Sequence, residues 1–281
     1  MDRSARRPHK KRKRLRQGHL NLQDQKPLPP IPPAPQDIRM TEEEETLLPV
    51  LYQDERYIAI HKPSGLLVHR SPIDRSETRF AIQLLRDQIG QRVYPAHRID
   101  RPTSGVLLFG LDPEAMTALS ILFQERAVKK TYIAMTRGHT PESGTIDSPL
   151  HKFLDTDGKI KSEETQESTT HYKRIASVEH PYPTERYATT RYSLVELHPL
   201  TGRRHQLRRH LSHIRHPIIG DVRHGCNKAN KLARKNFDIH RLLLAATNIC
   251  FEHPFTKEEI RIDCPLEESF QAALNKTNLH F

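Results

Sequence analysis

Nine consecutive residues, His97-Arg98-Ile99-Asp100-Arg101-Pro102-Thr103-Ser104-Gly105, set one carboxylate between two guanidiniums and then interrupt any helix. Proline at 102 disfavours the α region for the residue before it, and Thr-Ser-Gly is loop chemistry. Asp100 is therefore expected in a turn at a strand edge, ahead of the apolar run Val106-Leu107-Leu108-Phe109. Neighbouring arginines favour the charged form of such a carboxylate, which suits it to act as a nucleophile or charge stabiliser rather than a proton donor. A salt-bridged turn aspartate has the same local sequence, so these residues alone leave both readings open.

A second chemical element follows residue 200. Between Glu196 and Asp221 there is no acid, while Arg203, Arg204, Arg208, Arg209 and Arg215 lie among His205, His210, His213 and His216. A helix here places Leu207, Leu211 and Ile214 on one stripe and Arg204, Arg208 and Arg215 on the adjoining one, a line of guanidiniums suited to phosphates. The same pattern describes a solvated basic face. His210, His213 and His216 step by three but fan across a wide arc without a carboxylate, and arginines repel a cation, so no metal is expected.

The elements that must position these residues begin near Leu47. Residues 47–52 and Tyr57-Ile58-Ala59-Ile60 read as strands, as do Tyr132-Ile133-Ala134-Met135 and residues 191–197. Asp112-Pro113-Glu114 opens a helix with Met116, Leu119 and Phe123 on one apolar face. The polar interval 140–186 reads as a peripheral insertion or an irregular antiparallel pair, with a hairpin-like turn at Asp155-Thr156-Asp157-Gly158. The fold class expected is α+β, dominated by antiparallel or mixed sheet.

Residues 1–46 read as a disordered basic and proline-rich arm. Residues 1–39 alone hold eleven Lys and Arg against three Asp and Glu, leaving 34 against 31 for the remainder, so most of the net charge of +11 belongs to the arm. No apolar run is long enough to cross a bilayer and no hydrophobic secretory stretch is present, which predicts a cytoplasmic protein without membrane contact. Three cysteines without a C-x-x-C pair fit a reducing compartment and argue against structural zinc.

Three segments in order carry a resemblance: Lys62-Pro63-Ser64-Gly65; the Asp100 segment; and Thr201-Gly202-Arg203-Arg204-His205-Gln206-Leu207-Arg208 with Pro217-Ile218-Ile219-Gly220-Asp221. Together with Lys130-Thr131-Tyr132 and Glu252-His253-Pro254-Phe255 they resemble the RluA-type pseudouridine synthases across most of residues 47–265. The resemblance implies a single catalytic domain, residues 47–281, with a mixed, mainly antiparallel sheet and a central RNA-binding cleft. It implies an isomerase that converts uridine to pseudouridine in structured RNA, without cofactor or metal and as a monomer. Asp100 takes the catalytic aspartate's position, Tyr132 that of the tyrosine stacking on the target base, and Arg208 that of its arginine partner. Arg98 matches the side chain that replaces the flipped uridine, and Lys62, Arg203, Arg204, His205 and Arg215 complete the expected RNA contacts. Flipping is a physical necessity, because a stacked glycosidic bond gives a side chain no access.

Within the family, Val68-His69-Arg70-Ser71 and the segments around Asp100 and Arg215 are most similar to members acting on uridine 65 of tRNA. The lack of a small N-terminal RNA-binding domain, common among ribosomal-RNA members, points the same way. A ribosomal-RNA target and a catalytically silent RNA-binding protein of the same fold are the alternatives. Ile99 replaces the usual leucine, and Ala245 stands where relatives commonly have histidine.

Overall fold

The computed structural model describes residues 47–70, 78–153, 161–184 and 186–281. The basic arm at 1–46 and the turn Asp155-Gly158 lie outside them.

The first half of the sheet comes from β1 (Val50–Gln53), β2 (Tyr57–Lys62), β3 (Tyr94–Pro95) and β4 (Ser104–Gly110), flanked by α1 (Ala81–Ile89) and α2 (Pro113–Gln124). β2 runs antiparallel to β4, from Tyr57 opposite Gly110 to Lys62 opposite Gly105. Successive side chains alternate faces. Ile58, Ile60, Leu107 and Phe109 therefore pack with Leu85 of α1, while Tyr57, Ala59, Val106 and Leu108 pack with Ala115 and Leu119 of α2. Asp112 caps α2 by accepting from the Ala115 amide at 2.8 Å. Its fully buried positions are Ala115 and Leu119, so the face turns slightly from the Met116-Leu119-Phe123 stripe expected, because the core it meets lies beside Ala115.

The second half comprises β5 (Lys129–Arg137), β6 (Ser143–Asp147), β7 (Leu150–Phe153), β8 (Lys161–Gln166), β9 (Thr169–His180) and β10 (Thr190–Pro199), followed by α3 (Gln206–His213). Of the two readings of 140–186, the peripheral insertion is corrected, while an irregular antiparallel pair is found in β7 and β8. β9 pairs with β10 from His180 opposite Thr190 to Thr170 opposite Pro199, and β6 extends the same sheet. The interval reads as polar because β9 is only half covered, alternating buried Thr170 and Tyr172 with exposed neighbours. Only β7 and β8 form a separate antiparallel pair among the described residues.

The chain then adds α4 (Asn227–Phe237), β11 (Leu244–Glu252), β12 (Glu259–Asp263) and α5 (Glu268–Lys276). β11 is inserted between β4 and β5, giving the order β1-β2-β4-β11-β5-β10-β9-β6, with β3 on β4 and β12 on β11. It runs antiparallel to β5 and parallel to β4, where Ala245 faces Ser104 and Ala246 faces Gly105. Gly105 is required at this joint. Its φ is 119°, and a Cβ there would sit 2.1 Å from the Ala246 carbonyl oxygen. Ile133, Met135 and Leu194 face α4 and α5, whereas Ala134, Val195 and Leu197 face Leu207 and Leu211 of α3. Burying each of those two leucines contributes about 1.5–3 kcal/mol, anchoring α3. The observed architecture is α+β with a mixed, mainly antiparallel sheet.

Candidate active site

Asp100 lies between β3 and β4, in the turn that its proline and glycine dictate. The loop is fastened on both sides. The His97 Nε2 accepts the Leu108 amide at 2.9 Å and its ring stacks on Phe123 at 4.7 Å; burial first, then Lys130, pushes its pKa down to about 3, keeping it the neutral acceptor this bond needs. On the other side Ser64 Oγ donates to the Pro102 carbonyl at 2.8 Å, and the Gly65 amide donates to the Arg101 carbonyl at 2.8 Å.

Lys62 belongs to this fastening. It is fully buried, and its Nζ donates to the carbonyls of Pro63, Leu66 and Arg101 at 2.8, 2.9 and 3.2 Å. Three acceptors use all three donors of an ammonium, offsetting the burial that pushes its pKa down to about 7. The expectation that Lys62 touches RNA is thereby corrected: it is fully buried, and its donors tie its own loop, at Pro63 and Leu66, to the Asp100 turn at Arg101.

Arg208 reaches Asp100 from α3, 108 residues along the chain, its Nη1 donating to Oδ2 at 3.0 Å. Its other edge is held bidentately by Asp221, Nε to Oδ2 and Nη2 to Oδ1, both at 2.8 Å. The Arg208 and Asp221 side chains are only 5% and 1% exposed. Burial opposes the charge on each. The mutual pairing outweighs it, raising the arginine and lowering the aspartate, whose Oδ1 also accepts the amides of Arg223 and His224. Gly220, with φ of 81°, makes this possible, since a Cβ would collide with the Arg241 carbonyl.

The expected line of Arg204, Arg208 and Arg215 is not formed. α3 begins at Gln206 and ends at His213, so Arg204 precedes it and Arg215 follows it in the left-handed region at φ 66°. Arg215 is exposed and lies outside the cleft lining. Gln206 fixes the entry turn: its Oε1 accepts from Thr201 Oγ1 and the Arg203 amide, and its Nε2 donates to the Thr169 carbonyl and Thr170 Oγ1. His205, at φ 55°, places Nε2 3.9 Å from Asp100 Oδ1, too far for a hydrogen bond, while Nδ1 lies 2.9 Å from His224 Nε2. Burial pushes both imidazoles down to about 4, so they share that bond uncharged at neutral pH.

Tyr132, on β5 opposite Leu197, lines the same cleft as Asp100, with Arg98, Lys130, Arg203 and Arg208. Burial and then the charge of Asp100 raise its phenol, which stays protonated at neutral pH. Arg98 is exposed. His210, one of the three histidines spaced by three, is buried between Thr170 Oγ1 and the Ser148 carbonyl. Among the described residues no group of three or more His, Cys, Asp or Glu is arranged to hold a metal. Ala245 is buried in β11, facing the core beside Ile133.

The sequence patterns assigned no role to Asp221 or Gln206. A signal existed for Asp221, the first acid after a long run of uncompensated arginines.

Residues 56–213, which contain Asp100, Tyr132 and Arg208, match the RNA pseudouridylate synthase family. The chain belongs to that family. It is 51% identical over 230 residues to tRNA pseudouridine synthase C of Vibrio parahaemolyticus, covering 80% of this chain and 92% of that one. The protein of the same name in Haemophilus ducreyi is 48% identical over 236 residues, covering 83% and 97%. Among solved structures, human RNA pseudouridylate synthase domain containing 4 superposes with a TM-score of 0.65 at 27% identity, covering 83% of this chain and 94% of that one. This pseudouridine synthase is thus an isomerase, and Asp100, Tyr132 and Arg208 line one cleft of it. No helix among the described residues is long and apolar enough to cross a membrane.

Proposed function

We propose that the protein converts a uridine of tRNA to pseudouridine, with uridine 65 as the expected position, and that Asp100 carries the chemistry. The supporting observation is the chain of contacts from buried Asp221 through Arg208 to Asp100, which sets a carboxylate at the floor of the cleft with an arginine fixed behind it. The tRNA assignment is supported by relatives named tRNA pseudouridine synthase C that cover most of this chain.

In this reading the uridine leaves its stack and enters the cleft, and Arg98 fills the vacated place. Asp100 acts as a carboxylate, attacking the sugar or assisting elimination at C2′. The N1–C1′ bond breaks, the uracil turns, and C5 bonds to C1′. The proton leaving C5 balances the one gained at N1, so the product is an isomer. Tyr132 stacks on the base; its protonated phenol suits it to donate a hydrogen bond during the turn. Arg203, Arg204 and His205 line the approach of the strand.

Pseudouridine mapping of tRNA treated with the purified chain tests the proposal, with tRNA carrying cytidine at 65 as the control. Modification at 65 in the first and nowhere in the second is expected. Modification of ribosomal RNA alone overturns the tRNA assignment, and RNA binding without isomerisation overturns the catalytic one. Tyr132→Phe separates the phenol's roles: turnover near the parent's makes stacking sufficient, and a loss in kcat at constant affinity assigns the hydroxyl to the chemistry.

A further inference from the structure

The two oxygens of Asp100 have unequal company. Arg208 bonds Oδ2 at 3.0 Å, whereas Oδ1 faces the imidazole of His205, whose Nε2 lies 3.9 Å away. His205 is itself held from behind. Its Nδ1 lies 2.9 Å from Nε2 of His224, and the two rings stand nearly perpendicular, at 71° with 5.1 Å between centroids. His224 belongs to the turn that carries Asp221, and its backbone amide donates to Asp221 Oδ1 at 2.9 Å. Asn230 of α4 fastens that turn, donating to the Asp221 carbonyl at 3.0 Å and accepting the Gly220 amide at 2.9 Å. One short turn thus stands behind both neighbours of Asp100: through a carboxylate it grips Arg208, and through an imidazole it meets His205.

A hydrogen bond between two neutral imidazoles has a direction. Each ring has one N–H and one bare nitrogen, and both rings are uncharged at neutral pH because burial opposes their charge. If His205 donated from Nδ1, its bare Nε2 would set a lone pair beside a carboxylate oxygen 3.9 Å away, two negative ends facing each other. If His224 donates from Nε2, His205 accepts at Nδ1, and its own proton sits on the nitrogen beside Asp100. The charge of Asp100 selects the second arrangement. The separation matters as well: 3.9 Å exceeds a hydrogen bond, so the N–H steadies the charge and leaves the Oδ1 lone pairs unoccupied. Oδ2 is already bonded to a guanidinium, which makes Oδ1 the oxygen that reacts.

We propose that His224 is a positioning residue for the reaction: by donating from Nε2 it fixes the tautomer in which His205 presents an N–H to Oδ1 of Asp100. The carboxylate then has a cationic partner on one oxygen and a neutral donor beside the other. The inference rests on the reading that Asp100 carries the chemistry, and deepens it by assigning how its second oxygen is held.

The test uses the full chain. With isotope-labelled histidine, long-range proton–nitrogen correlation spectra distinguish a protonated ring nitrogen from a bare one, and the signals lost in His205→Gln and His224→Gln assign the two rings. In the parent, His205 should be protonated at Nε2 and bare at Nδ1. The reverse overturns the proposal without requiring any variant to fold. His224→Phe keeps a flat ring without a donor, and kcat on tRNA should fall about ten- to hundred-fold with KM within about two-fold. His224→Gln restores an N–H donor but not the ring, and should recover kcat to within about three-fold of the parent. That rescue is what a packing role would not give. A phenylalanine variant at the parent's kcat, a rise in KM alone, or equal losses in the two variants each overturn the proposal. If the parent isomerises no RNA while His205 is protonated at Nε2, the catalytic reading falls although the tautomer is as stated. If the parent isomerises tRNA while His205 is protonated at Nδ1, this inference falls alone.

Discussion

Arg208 and Arg209 are consecutive residues of one helix, about 100° apart around its axis, and they live in different solvents. Arg208 faces inward, bonded to two carboxylates, and Arg209 faces outward over Phe153. A buried arginine bonded on both edges is a fixed part of a constellation, and removing one partner leaves an uncompensated charge. Arg209 is half-buried, with its Nη1 on the His151 carbonyl and its charge over the Phe153 ring, contacts that cost less to lose than a buried ion pair. The basic run after residue 200 therefore contains two devices: one that holds Asp100 and one that ties α3 to β7.

The sharpest way to break this comparison is at the carboxylate itself. Asp100→Asn preserves shape and removes charge, so single-turnover isomerisation should fall by about 10³-fold or more while tRNA affinity stays near the parent's. Appreciable turnover by the purified variant would sink the assignment. Next comes Arg208→Ala, which strands Asp221 without its partner; chemical denaturation should show a loss of about 3–5 kcal/mol. Arg208→Lys retains the charge but cannot bridge Asp221 and Asp100 with a planar fork, and should recover stability better than turnover. A lysine variant as active as the parent would show that charge alone suffices.

Asp221→Asn probes the same device through pH. The folded-state pKa of Asp221 is lowered, so its ionisation contributes stability above the ordinary aspartate value of about 3.9, and that contribution disappears as pH falls through this value toward the folded one. The parent should lose stability in that window, and Asp221→Asn, already destabilised at neutral pH, should lose less there. Parallel acid limbs in thermal melts would contradict the pairing. Smallest of all should be Arg215→Ala, since this exposed residue lies outside the cleft: stability within about 0.5 kcal/mol and tRNA affinity within about three-fold. A ten-fold loss in a filter-binding titration would place RNA across the far end of α3.

Local chemistry made some of this legible in the sequence. Pro102 and Gly105 define the Asp100 turn, Asp112-Pro113 opens α2, and runs of apolar residues mark β2, β4, β5 and β10. Long-range pairing hid the rest. β9 looked peripheral because half-covered strands carry polar residues on their open face. Arg208 looked like part of a surface line because a helical wheel fixes spacing but not which stripe is buried, and its partners lie 13 and 108 residues away. Lys62 was expected to touch RNA, but its three donors are taken by carbonyls that lie close only in the folded chain. The family motifs picked out Asp100, Tyr132 and Arg208 together without showing that Asp221 clamps the arginine.

The position of β11 has a consequence for how activity arises during synthesis. Asp100 belongs to the part of the sheet made first, and Tyr132 and Arg208 to the part made second, yet the strand joining β4 to β5 is translated after both. A ribosome that has released residues only as far as α4 carries two incomplete sheets with an exposed edge on each. Asp100 meets Tyr132 and Arg208 when the late strand closes the gap. Such late, non-local closure is slow compared with helix formation, so a nascent or truncated chain should hold RNA-binding surface before it holds an active site.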